Sequence, residues 1–128
     1  MSNIPEDLRY TEEHEYLKAD GADEMVVGIT DYAQGELGDI VYVELPEVGA
    51  TFDRMEEFGT IEAVKAVSQL FCPISGEVIQ VNTALDGEPA VINQDPYGEG
   101  WMIRLRVTKP EEFEQTLTAA EYAQHIGE

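Results

Sequence analysis

Of the three lysines in the chain, Lys65 is the one whose surroundings give its amine a chemical use. Residues 58–64 alternate Ile61 and Ala63 against Thr60, Glu62 and Val64, the period of a strand rather than a helix. Residues 66–72 form a second extended, largely apolar run, so Lys65 falls at the turn between them. Lys18 and Lys109 are remote in sequence. A single amine at a hairpin tip is addressable by a modifying enzyme, and an amide bond would lengthen its flexible stem. Amide formation would also cancel the lysine charge, making a chain of formal charge −20 one unit more negative. A lysine at a loop tip is equally at home as a solvated charge, so spacing alone leaves both readings open. Cys72, the only cysteine, lies beside Leu70 and Phe71, has no catalytic constellation around it, and reads as a buried or half-buried hydrophobe.

The elements that must hold this tip are mostly short strands. A third extended run covers residues 76–81, and others are expected at 9–10, 15–18, 25–29, 39–45, 51–52 and 101–107. Thr30 is placed to cap a helix over Asp31–Leu37, which Gly38 ends. So short a helix is unstable alone, so Tyr32, Ala33 and Leu37 must pack on the sheets. Pro46 stops the strand before it because proline cannot donate to a ladder. Residues 83–89 read as a helical turn and loop, and residues 94–100 as a second loop. Thr108 with Glu111 and Thr118 with Glu121 have capping-box spacing, predicting helices over residues 110–117 and Ala119–His125. Phe113, Leu117, Tyr122 and Ile126 would pack these helices inward. The whole is expected to be one mainly β domain spanning residues 1–128.

Charge excludes some function classes. Twenty-seven acidic residues against seven basic ones rule out a binder of nucleic-acid backbone. A partner with a basic docking face would instead be drawn in at low salt. Apolar residues make up 43% of the chain and recur in blocks, which argues against disorder. No apolar run approaches the roughly 20 residues a membrane helix needs, and the first residues lack a targeting pattern, so a soluble, cytoplasmic protein of bacterial type is expected. A lone cysteine fits a reducing compartment.

Around the lysine, Glu62-Ala63-Val64-Lys65-Ala66 followed by Pro73-Ile74-Ser75-Gly76-Glu77-Val78 resembles the attachment hairpin of lipoyl-bearing domains. Gly49 and Gly76 match the glycines that flank it. Further afield, Leu8-Arg9-Tyr10-Thr11-Glu12-Glu13-His14-Glu15, Val27-Gly28-Ile29-Thr30-Asp31-Tyr32-Ala33-Gln34, Leu37-Gly38-Asp39-Ile40-Val41, Val43-Glu44-Leu45-Pro46 and Asn93-Gln94-Asp95-Pro96-Tyr97-Gly98-Glu99-Gly100-Trp101 are similar to the H-protein family of the glycine cleavage system. The resemblance covers nearly the whole chain. A lipoyl domain of a 2-oxoacid dehydrogenase would be shorter and would lack the Asp-Pro-Tyr-Gly-Glu-Gly-Trp segment.

The resemblance implies a barrel-sandwich hybrid: two antiparallel sheets related by a pseudo-twofold, with a short internal helix and C-terminal helices. It implies lipoate in amide linkage on Lys65, with Glu62, His14 and Glu15 as further residues of that site. The implied role is that of a carrier, not an enzyme. It would take an aminomethyl group from glycine decarboxylase (P protein) to the aminomethyltransferase (T protein), and dihydrolipoamide dehydrogenase (L protein) would reoxidise the dithiol. A lipoate ligase or a lipoyl/octanoyl transferase would load the lysine, and a monomer with no metal, membrane or nucleic-acid partner is expected. Glu15 stands where the family places a carboxylate near the docked aminomethyl group; without that context His14 and Glu15 read as a solvated edge strand.

Three departures are visible: Tyr16 for a frequent tryptophan, Ala63 for a common serine, and Gln69 for a common acidic residue. Three other functions stay open. A biotin carrier would use the same hairpin but with methionines where Val64 and Ala66 stand. A relay handing lipoyl or octanoyl groups to other enzymes would use the same lysine. A purely acidic interaction protein would leave Lys65 unmodified.

Overall fold

The alternation read from the sequence becomes nine strands in two antiparallel sheets, seen in a computed structural model that describes residues 2–128. The first sheet has six strands: β1 (Arg9–Tyr10), β2 (Glu15–Ala19), β3 (Glu24–Ile29), β9 (Ile103–Val107), β8 (Gly76–Val81) and β5 (Thr51–Phe52), in that spatial order. The second has three, β4 (Ile40–Glu44), β6 (Glu57–Ala63) and β7 (Val67–Phe71), with β6 central. This is the barrel-sandwich hybrid expected. Alternate strand residues meet between the sheets. Leu17, Val27, Ile29, Ile40, Val43, Ile61, Leu70, Ile74, Val78, Ile103 and Leu105 are buried in one continuous core. A buried leucine or isoleucine side chain contributes about 2 kcal/mol, so this core supplies most of the driving force.

Glycines mark close approaches. A Cβ on Gly59 would lie 2.2 Å from the Glu44 carbonyl oxygen, which leaves no room for a side chain where β6 crosses β4. Gly49, at φ +99°, occupies the left-handed region that its turn requires. Cys72 is fully buried, its Sγ donating to the Ile74 carbonyl at 3.1 Å. Burial pushes the thiol pKa up to about 12.

Helix α1 (Asp31–Leu37) starts at Thr30, whose hydroxyl accepts from Ala33 N at 3.1 Å, and ends at Gly38. A second helical turn, α2 (Val91–Gln94), leads into the second loop and is not among the elements expected from the sequence. Thr118 and Glu121 form the full capping box that opens α3 (Ala119–His125). The matching expectation at Thr108 fails. Lys109 stands at the N-cap position without a side-chain cap, and Pro110–Gln115 winds as a 3₁₀ helix rather than an α-helix. Leu117 leaves the helix to bridge Tyr10 backbone to backbone, which explains why no α-helix runs through it. The strand expected over 101–107 is likewise shorter, because Met102 N turns to Val27 O before β9 pairing is under way.

Candidate functional site

Lys65 sits where the sequence placed it, in the turn between β6 and β7, exposed and flanked by Val64, itself 75% exposed. Ala63 N donates to Ala66 O at 2.8 Å and Val64 N to Asp39 O at 3.0 Å, so the backbone of the tip is pinned while its side chains are not. No acidic group lies within ion-pair distance of the Lys65 amine among the described residues. Its stem runs beside Gly38. A Cβ there would approach Lys65 Cε to 3.3 Å. The hairpin tip and the end of α1 are therefore neighbours.

Asn93 fixes that corner. Its Oδ1 accepts from Ile40 N at 2.9 Å, while its Nδ2 donates to Gly38 O at 2.8 Å and to Gln34 Oε1 at 3.0 Å. One amide thus ties the end of α1 to the start of β4, using both donors and its acceptor. Asp95 supports the next loop, accepting from Glu99 N at 3.0 Å. Gly98 and Gly100 are needed there because a Cβ on either would fall within 3 Å of Asp95.

Next to Gly38, a cleft of about 220 Å³ begins at Leu37 and runs along α1, with Ile29, Ala33, Leu37, Ile61 and Leu70 as apolar walls. At 1.5 Å per residue, seven residues of helix span about 10 Å. His14 and Glu15 lie in the same cleft, together with Tyr32, Glu36, Ser68 and Gln69. Glu62 does not. It points outward between Tyr42 and Val67, its partners in register across the second sheet.

Glu15 is no solvated edge residue, since it is only 1% exposed. Its Oε1 accepts from Thr11 Oγ1 at 2.6 Å, and its Oε2 lies 3.3 Å from Phe71 N, so the carboxyl reaches from the first sheet to the second. Burial raises its pKa to about 8, against the partial relief of those two hydrogen bonds. Burial thus favours the protonated form, while the two hydrogen bonds it accepts favour the carboxylate. His14 is half-buried with φ +75°, and its Nδ1 lies 2.9 Å from the Tyr122 hydroxyl. Burial, and then the nearby His125, lower its pKa from the ordinary value.

Residues 8–128 match the family model described as "Glycine cleavage H-protein". The chain belongs to the glycine cleavage H-protein family. Among curated relatives, the glycine cleavage system H protein of Anaeromyxobacter sp. (strain K) is 54% identical over 125 residues, covering 98% of this chain and 97% of the relative. That of Symbiobacterium thermophilum is 52% identical, covering 95% and 94%. A crystal structure of the glycine cleavage system H protein from Mycobacterium marinum superimposes with a TM-score of 0.89 at 45% identity, over 98% of this chain and all of that one. Family membership supports the role of a lipoyl carrier in the glycine cleavage system rather than of a catalyst.

The departures from the family's pattern can be placed. Tyr16 is buried against Gly28, where a Cβ would come within 2.7 Å of the ring, and its hydroxyl donates to Pro96 O at 2.7 Å. Ala63 is an inward-facing residue of β6, and Gln69 borders the cleft from an exposed position. Sequence reading missed Thr11, Thr30, Asn93 and Tyr122 as supports of the site. For Thr11 the four-residue spacing to Glu15 was a usable signal; for Tyr122 nothing local pointed 108 residues back to His14.

Proposed function

We propose that the protein carries lipoate in amide linkage on Lys65 Nζ. With it, the protein would convey the aminomethyl fragment of glycine from the decarboxylase to the aminomethyltransferase, before dihydrolipoamide dehydrogenase restores the disulfide. The observation that carries this reading is an exposed amine with no ion pair among the described residues, standing beside an apolar cleft that ends in polar groups. Those features fit the group: a hydrocarbon stem suits Ile29, Leu37 and Ile61, and its reactive end would meet His14 and Glu15. When bound, lipoate supplies a ring disulfide that accepts a one-carbon amine fragment and returns as a dithiol.

The chain's own residues do the rest. Lys65 supplies reach, the pinned backbone of its turn fixes the origin of that reach, and Asn93 holds the cleft mouth beside it. The apolar walls exclude water, which protects a hydrolysable cargo between partners. Burial disfavours a charge on Glu15, and a cationic group arriving in the cleft would offset that cost, so that Glu15 would release its proton to solvent and pair with the group as a carboxylate. The test is to incubate the unmodified protein with a lipoate ligase, lipoate and ATP, then digest it. The lipoyl mass is expected on the peptide containing Lys65; its appearance on Lys18 or Lys109, or nowhere with an active ligase, would overturn the reading.

A further inference from the structure

Helix α3 sends the Tyr122 hydroxyl to His14, a residue that lines the cleft. Tyr122 is fully buried and stacked on Tyr10, with centroids 4.8 Å apart and planes at 11°. Its hydroxyl lies 2.8 Å from Thr30 Oγ1 and 2.9 Å from His14 Nδ1.

The protons of this chain of three can be assigned by elimination. Thr30 is fully buried, so water does not serve it. Its Oγ1 has two partners, Ala33 N and the Tyr122 hydroxyl, and an amide N–H can only donate. The Thr30 proton must therefore go to the Tyr122 oxygen. The single Tyr122 proton then has His14 Nδ1 as its acceptor, which requires that nitrogen to be bare. A neutral imidazole with a bare Nδ1 carries its proton on Nε2. The reverse assignment, with Nδ1–H donating, would leave the Thr30 proton buried without an acceptor, an arrangement native structures avoid. Among the described residues His14 Nε2 has no protein partner, yet no buried side-chain polar atom is unpaired. That nitrogen therefore opens to solvent on a residue that lines the cleft.

We infer that Tyr122 is a positioning residue for the cleft: held by Thr30, it fixes His14 as the tautomer that presents an Nε2–H donor to an acceptor atom on the cleft's occupant. That the occupant is the arm of Lys65 rests on the function proposed above; the tautomer does not. The left-handed backbone at His14 serves the same end, since it aims the ring across at α3 while its backbone N and O are tied to Thr11 O and Thr30 N. Burial and then the neighbouring His125 lower the ring's pKa against the opposite pull of Glu13 and Glu36.

The test reads imidazole nitrogens directly. The chain has two histidines, so ¹⁵N-histidine labelling gives two ring systems, and His125→Gln assigns them. In the unloaded protein His14 is expected to show a bare Nδ1 and a protonated Nε2. Tyr122→Phe keeps the stack on Tyr10 but removes the proton, and should turn His14 into a tautomer mixture; Thr30→Ser keeps hydroxyl and cap and should leave it unchanged. An unperturbed His125 signal checks that α3 stays docked in each variant. A protonated Nδ1 in the wild type, or an identical His14 pattern in Tyr122→Phe, overturns the inference. In protein shown by mass to carry lipoate on Lys65, the His14 Nε2 signal should shift relative to unloaded protein. An unmoved signal there overturns the donor role. Failure to load is read separately, from the mass, and bears on the carrier reading alone.

Discussion

At the C-terminal end of α1, Lys65 stands between exposed residues, with Val64 75% and Val67 67% accessible and no ion pair on the amine among the described residues. At the N-terminal end of the same helix, Glu15, Thr30 and Tyr122 are withdrawn from solvent, and all of their polar atoms are partnered. One end is built to be handled and the other to stay still. The difference locates where substitutions act: at the tip they change chemistry without stability, and in the cleft floor they change both.

The comparison breaks most sharply at Lys65→Arg. Acylation should be abolished while the unfolding free energy moves by no more than about 0.5 kcal/mol, as for an exposed residue without partners. Intact mass after ligase treatment and a urea titration check the two halves. A large loss of stability would mean that the tip is not mechanically separate from the core.

At the other end, Glu15→Gln should remove a pH dependence. The folded pKa of Glu15, near 8, lies above the ordinary carboxylate value, so the folded state binds its proton more tightly than the unfolded state. Its contribution is fully present below about pH 4.5 and drains away as pH rises toward 8. Glutamine cannot ionise, so the variant should gain on the wild type between pH 5 and pH 8 by on the order of 3 kcal/mol. Parallel stability curves for the two proteins would show that Glu15 titrates as an ordinary surface acid.

Asn93→Ala tests the corner where the C-terminal end of α1 meets β4. Removing three hydrogen bonds from a half-buried site should cost about 2 kcal/mol. Because Ile40 N loses its acceptor, its amide should exchange with deuterium faster than its neighbours in β4. Uniform loss of protection across β4 would mean that Asn93 supports the whole sheet rather than the corner. The smallest effect is expected from Val64→Thr. It keeps the β-branch on an exposed residue beside the lysine and should change stability by less than about 0.5 kcal/mol in a thermal melt.

What the sequence disclosed follows the same division. The tip was legible because a strand, a turn and a strand are local patterns, and the alternation survives in burial, with Ile61 and Ala63 buried and Glu62 and Val64 exposed. The cap at Thr30 and the box at Thr118 were legible for the same reason. Glu15 was not. Its burial depends on β7 passing over β2 from a different sheet, and Phe71 is 56 residues away. Tyr122 was read correctly as a packing residue, but its hydroxyl's partners come from two loops that only the fold brings together. Thr108 shows the opposite error: local spacing promised a box, and the bridge between Leu117 and Tyr10 drew the segment into a 3₁₀ path instead.

Cys72 has a bearing on the cargo. A carrier whose arm alternates between disulfide and dithiol is exposed to exchange with any thiolate of its own, and a mixed disulfide would tether the arm and end its circulation. The chain has one thiol, held fully buried with its pKa near 12. At pH 7.5 roughly one molecule in 10⁴ or fewer would carry that thiolate, and none of it in contact with solvent. Cys72 would thus stay out of exchange with a lipoyl arm on Lys65, and a thiol reagent added to the folded, lipoylated form would count the reduced arm alone.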